Sequence, residues 1–263
     1  MLIYEIFEAI KFRCDYNKII KLLNTSDKLV LKNKPNHTYN INYNNFGEYE
    51  YIVREFVNRF KTIFNEEQVN NLLANLETLQ INKEIPEQKF VFSTYKSLAY
   101  YNSRKNEITV ETENDKYIKS TLFHELLHTA SRRIKGNDYY CGFDIKNFIG
   151  TGINEDYTEY LIEKYFKDNP SYNRRAIFIH ELEEVIGENK LEELYFNADL
   201  FSLIKELSIL APKDDIIKLI YDYDALYNIT YSNALYNSVE NKIDSLSKQK
   251  EKVKKYVLWY KRW

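Results

Sequence analysis

The sequence predicts an α+β protein that is mostly helical, and three observations predict it. Gly 6 and Pro 4 in 263 residues leave too little turn chemistry for an all-β fold. Apolar residues recur at helical spacing over most of the chain, both early and late. Between them, residues 89–112 read as short strands, the last of which, 107–112, alternates with period two.

In order along the chain, residues up to about 25 show helical periodicity through Ile3, Phe7, Ile10, Ile19 and Leu22. Lys28-Leu29-Val30-Leu31 and the alternating Tyr39-Asn40-Ile41-Asn42-Tyr43 read as short strands. From Tyr49 the pattern turns helical through Ile52, Phe56, Phe60, Ile63 and Phe64. A second helix carries Val69, Leu72, Leu73, Leu76 and Leu79, and Pro86 ends it. Strands are expected at 89–94, at 98–101 and at 107–112, where Glu107-Ile108-Thr109-Val110-Glu111 leaves one face solvated. A helix from about Asp115 to Arg133 follows. Its stripe of Ile118, Leu122, Leu126 and Ala130, with Phe123 and Leu127 beside it, would pack on the sheet. Gly136-Asn137-Asp138 reads as the end of that helix, and 139–153 as a loop. Helices are then expected from Asn154 to about Phe166 and over 172–187, 189–207, 212–227 and 231–263. This gives an N-terminal mainly helical region over 1–86, a core over 87–167 and a C-terminal helical region over 168–263, together one compact unit.

Composition narrows the partners. Lys+Arg 37 against Asp+Glu 39 gives a net charge of -2, so no nucleic acid is expected. The start of the chain has acids where a secretory signal carries bases, and no apolar run of about 18 residues occurs. No membrane span and a cytoplasmic location are therefore expected. Cys14 and Cys141 read as free thiols. The 24 tyrosines are read as the mark of an AT-rich coding sequence. No phosphate-binding glycine loop and no serine nucleophile elbow are present. The basic, aromatic tail over 248–263 reads as a terminal helix, with Trp259 and Trp263 four apart and packing on the body.

The chemistry lies in His124-Glu125-Leu126-Leu127-His128. Two histidines four apart stand one above the other on a helix, so both imidazoles can reach one zinc ion. Glu125 is then placed to act as general base. Two histidines do not complete a catalytic zinc site, which takes three protein ligands and an open position. The metzincin pattern would need Gly and His where Ser131 and Ile134 stand, so that class is excluded. A carboxylate on the following helix is the remaining route. Asn154-Glu155-x-x-Thr158-Glu159 supplies it, with Glu155 following His128 by 27 residues. Asp156 would point about 100° away from Glu155 on a helix and ranks behind it.

With these two motifs the chain resembles the gluzincin metallopeptidases, the thermolysin-like group, over about residues 89–167. Thr158 and Glu159 stand where that group has Ser and Asp. The resemblance implies a zincin-like core, a small sheet packed on the motif helix, and zinc held by His124, His128 and Glu155. It implies that Glu159, one turn after Glu155, reaches back to His124, and that Asn154 supports the ligands from behind. The implied reaction is peptide-bond hydrolysis, with Glu125 taking a proton from water and passing it to the leaving amine. A peptide or protein is the implied substrate. A binding or regulatory module with little turnover, or a hydrolase of a non-peptide amide, are the alternatives; the intact Glu125 speaks for an enzyme. The donor for the developing oxyanion stays open among His180, Tyr139, Tyr140 and Tyr157, with His180 read as a partly buried structural residue.

Overall fold

The computed structural model describes residues 17, 19–21, 39–84, 98–111, 115–145, 149–167, 176–228 and 233–260. The expected helix before residue 25 and the strand at 28–31 fall almost wholly outside the described residues. The strand at 89–94, Cys14, Pro86 and the packing of Trp259 and Trp263 also lie outside them.

Tyr39–Tyr43 is not a strand. Residues 39–42 have no regular structure, and a 3-10 segment, Tyr43–Tyr49, follows. The Asn42 amide donates to the Asn45 carbonyl side chain at 3.0 Å, and Asn45 N–H donates to Asn42 O at 3.0 Å. Such local bonds compete with strand pairing. Helices α1 (Glu50–Ile63) and α2 (Glu66–Leu76) come next. Asn65 and Gln68 form a capping box that starts α2. Helix α2 stops before Leu79. The residues after it form β1 (Gln80–Lys83), which runs parallel to β3 (Glu107–Val110); β2 (Ala99–Asn102) pairs antiparallel on the other side of β3. The sheet order is thus β1-β3-β2.

Helix α3 (Asp115–Ser131) carries the histidine pair. Leu122, Phe123, Leu126, Leu127 and Ala130 are all fully buried. The helix is therefore central, with α1 and α2 packed against it as well as β2. Its end differs from expectation. The chain leaves α3 directly into β4 (Arg132–Lys135), turns at Gly136 (φ 65) and returns as β5 (Asp138–Cys141). The physical reason lies in α2. The Asn75 amide donates to Thr129 O at 2.9 Å and Arg132 O at 3.1 Å, and Asn71 donates to Ala130 O at 2.6 Å and Arg132 O at 3.0 Å. The carbonyls that a helix leaves unpaired at its end are thereby taken up by side chains.

Beyond the hairpin come α4 (Thr151–Leu161), continued by a π turn Ile162–Phe166, then α5 (Ala176–Ile186), α6 (Glu188–Phe196), α7 (Leu200–Leu207), α8 (Lys213–Asn228) and α9 (Asn233–Tyr260). The single helix expected over 189–207 is two. Arg133 Nε donates to Phe196 O at 2.8 Å and Lys135 Nζ to Ala198 O at 3.0 Å. Ala198 takes φ 50, and Asp199 caps α7 by accepting from Ser202 N–H at 3.0 Å. Two basic side chains of the β4 strand thus interrupt a run that periodicity alone would continue. The fold is mostly helical with a small sheet. Among the described residues, no helix is long and apolar enough to cross a membrane.

Candidate metal centre

The residues that converge come from α3 and α4. On α3, His124 and His128 stand one turn apart with their Nε2 atoms 3.0 Å from each other. Near the start of α4, Glu155 puts Oε2 3.1 Å from His124 Nε2 and Oε1 3.3 Å from His128 Nε2. Among the described residues, these three form the cluster whose donor atoms are close enough to hold a metal ion.

The two supporting residues lie behind the imidazoles. Glu159 Oε1 is 3.0 Å from His124 Nδ1. That distance suits an ion pair, but the alignment falls short of a hydrogen bond, and Nδ1 is buried without one. Asn154 Nδ2 is 3.3 Å from His128 Nδ1, while its Oδ1 accepts from Phe143 N–H at 3.0 Å. Asp156 is buried and turned away from the site, accepting from Tyr223 OH at 2.8 Å.

Glu125 lines the same cavity, of about 510 Å³, and the residue is 6% exposed. Burial raises its pKa against the pull of His124 and His128. Burial opposes charge on His124 too, but the carboxylates of Glu155 and Glu159 outweigh it and hold the ring at about 10. His128 is raised in the same way, with burial opposed chiefly by Glu155. Glu155 goes the other way: burial works against its charge, yet the two imidazoles hold it well below the usual carboxylate range.

None of Tyr139, Tyr140, Tyr157 and His180 lines the cavity. His180 is no partly buried structural residue: its side chain is 61% exposed and 3.6 Å from Glu184. Tyr157 is fully buried against Phe143 and Tyr195. The wall is built instead by Tyr100 and Tyr101 of β2, Tyr117 and Thr121 of α3, Asp144, and Tyr227 of α8. Tyr117 and Thr121 precede His124 by two turns and by one, so helical spacing could have placed them on its face. Asp144 and Tyr227 carry no such signal. No protein-family model, curated protein or solved structure matches the chain.

Proposed function

We propose that the chain is a zinc-dependent metallopeptidase with a zincin-like core of gluzincin type. The observation that carries this is the convergence of His124 Nε2 and His128 Nε2, 3.0 Å apart, on the Glu155 carboxylate, whose Oε2 is 3.1 Å from the first and whose Oε1 is 3.3 Å from the second. A tetrahedral ion about 2.0–2.1 Å from each donor sets its donors on the order of 3.3 Å apart, and the two imidazole nitrogens and the carboxylate oxygen nearest each of them are spaced close to that. Two imidazoles and one carboxylate also form the donor set of a catalytic rather than a structural zinc site, which keeps a position open.

When bound, the dication acidifies a coordinated water and polarises a carbonyl oxygen. Glu125 supplies the proton chemistry. Its carboxyl is buried, faces the cavity and has a raised pKa, which suits a base that takes a proton from the attacking water and delivers it to the leaving amine as the C–N bond breaks. Glu159, with Oε1 3.0 Å from His124 Nδ1, is placed to orient that ring and so to fix which nitrogen faces the ion. Asn154 instead turns its amide N–H, not its oxygen, toward His128 Nδ1 and packs behind the ring without setting its tautomer. Burial of Glu125 in an open cavity supports turnover, because a module that only binds has no use for a desolvated base.

Metal analysis of the purified chain tests the ligand set. Near one zinc per chain is expected in the wild type, with a large loss in Glu155→Ala. Peptide hydrolysis should vanish in Glu125→Gln while zinc is retained. Unchanged zinc in Glu155→Ala would remove that residue from the site. A protein that holds zinc but cleaves nothing in a broad peptide library would be a binding module.

A further inference from the structure

We propose that Asp224 of α8 is a positioning residue for the metal site, holding the start of α4, and with it Glu155, in place against α3. This rests on the reading of His124, His128 and Glu155 as ligands. The first N–H groups of a helix have no partner inside it and are usually met by the side chain of the N-cap residue. The N-cap of α4 is Gly150, at φ 89, with no side chain to offer. Asp224 does the work from far downstream. Its Oδ2 accepts from Gly150 N–H at 2.7 Å and its Oδ1 from Gly152 N–H at 2.8 Å.

Of the two glycines, Gly152 faces α8 and leaves room for this reach, whereas Gly150 is packed on Phe143 and Leu200. A Cβ on Gly150 would stand 2.1 Å from Phe143 O, and one on Gly152 would stand 3.0 Å from Tyr223 O and from Tyr227 Cβ. Helices α4 and α8 therefore meet at backbone distance, close enough for a short carboxylate to bridge them. A second tether fixes rotation: Tyr223 OH donates to Asp156 Oδ2 at 2.8 Å. Asp156 is the neighbour of Glu155, and a helix turns about 100° per residue, so holding Asp156 toward α8 keeps Glu155 toward the histidines. Burial pushes the Asp224 carboxyl up to about 6 against the two N–H groups that hold it down. A neutral N-cap would give α4 the same bonds without that opposition. What Asp224 adds is a link between α8, whose Tyr227 lines the cavity, and the helix that carries the third ligand.

Cobalt(II) titration of the full chain tests this, because its absorption bands report ligand geometry as well as affinity. Asp224→Ala should lower cobalt affinity by about 10- to 100-fold, the range for residues that orient ligands, and alter the bands of the bound form. Asp222→Asn is the control. Lying on the same helix as Asp224, it removes the partner of Lys218 and of Lys242 on α9 without touching α4, and should keep affinity and bands. If Asp224→Ala does not fold, Asp224→Asn, which retains an acceptor, should shift both readouts in the same direction by less. Wild-type affinity and bands in whichever Asp224 variant folds would overturn the inference. An equal loss in Asp222→Asn would also overturn it, since the effect would then be general loosening. A wild-type chain that takes up no cobalt would overturn the ligand reading itself, and the inference with it.

Discussion

Gly142 controls the setting of His128 at one remove. Its φ is +52, and a Cβ there would lie 2.0 Å from Asn154 Oδ1 and 2.5 Å from Tyr195 Cε2. Asn154 is the side chain that meets His128 Nδ1, so the missing Cβ is the space in which that amide sits. Gly136, at φ +65, has nothing within 4 Å of the same position. The two sites share the left-handed backbone and differ in the collision alone. Gly136→Ala should cost about 1–2 kcal/mol from the backbone term, and Gly142→Ala about 1–3 kcal/mol more from overpacking. Urea denaturation of the two variants measures the difference, and equal costs would show that the pocket around Gly142 yields freely. At this scale the sequence was most legible where spacing is itself geometry. His124 and His128 meet because i and i+4 share a helix face, and Glu155 and Asp156 separate because neighbours do not. Asp144 and Tyr227 reach the cavity through tertiary contacts that no local spacing encodes.

Among the elements, α3 shows where periodicity is a sound guide and where it fails. The apolar stripe predicted the helix and its burial, but the helix is buried on more than one side, which a pattern of single-face packing did not suggest. Its end is set by α2. Asn75 donates to two carbonyls at that end and accepts from Arg132 Nη1 at 2.9 Å. Removing the side chain leaves a buried guanidinium without that acceptor and Thr129 O without this donor, while Arg132 O keeps Asn71. Asn75→Ala should therefore cost about 2–4 kcal/mol, from buried groups left without partners at about 1–3 kcal/mol each, read as a lower denaturation midpoint. A loss below about 0.5 kcal/mol, the usual range for surface changes, would mean that β4 does not depend on this cap. The same lesson holds at Asn197-Ala198-Asp199, where Arg133 and Lys135 claim the carbonyls of Phe196 and Ala198. Both boundaries turn on bonds between residues more than 50 positions apart, out of reach of a window along the chain.

In the whole molecule, the candidate centre joins two halves of the core. Helix α3 packs on α1, α2 and β2, whereas α4 packs on α5 and α8. Of the candidate ligands, His124 and His128 belong to the first group and Glu155 to the second. An ion held at this point would bind the folded chain and find no such convergence of side chains in the unfolded one, so it would raise global stability by mass action. At about 1,000 times the dissociation constant the gain is about 4 kcal/mol. For a chain of this size each kcal/mol moves the melting temperature by about 2–4 °C. Zinc should thus raise Tm by roughly 8–16 °C in the wild type, and a chelator should reverse the rise. Glu155→Ala should melt without chelator close to where it melts with it. Glu125→Gln should keep the full zinc-dependent shift, because Glu125 is placed to move protons rather than to hold the ion. A shift of equal size in Glu155→Ala would place the ion elsewhere, and its loss in Glu125→Gln would make Glu125 a ligand instead of a base.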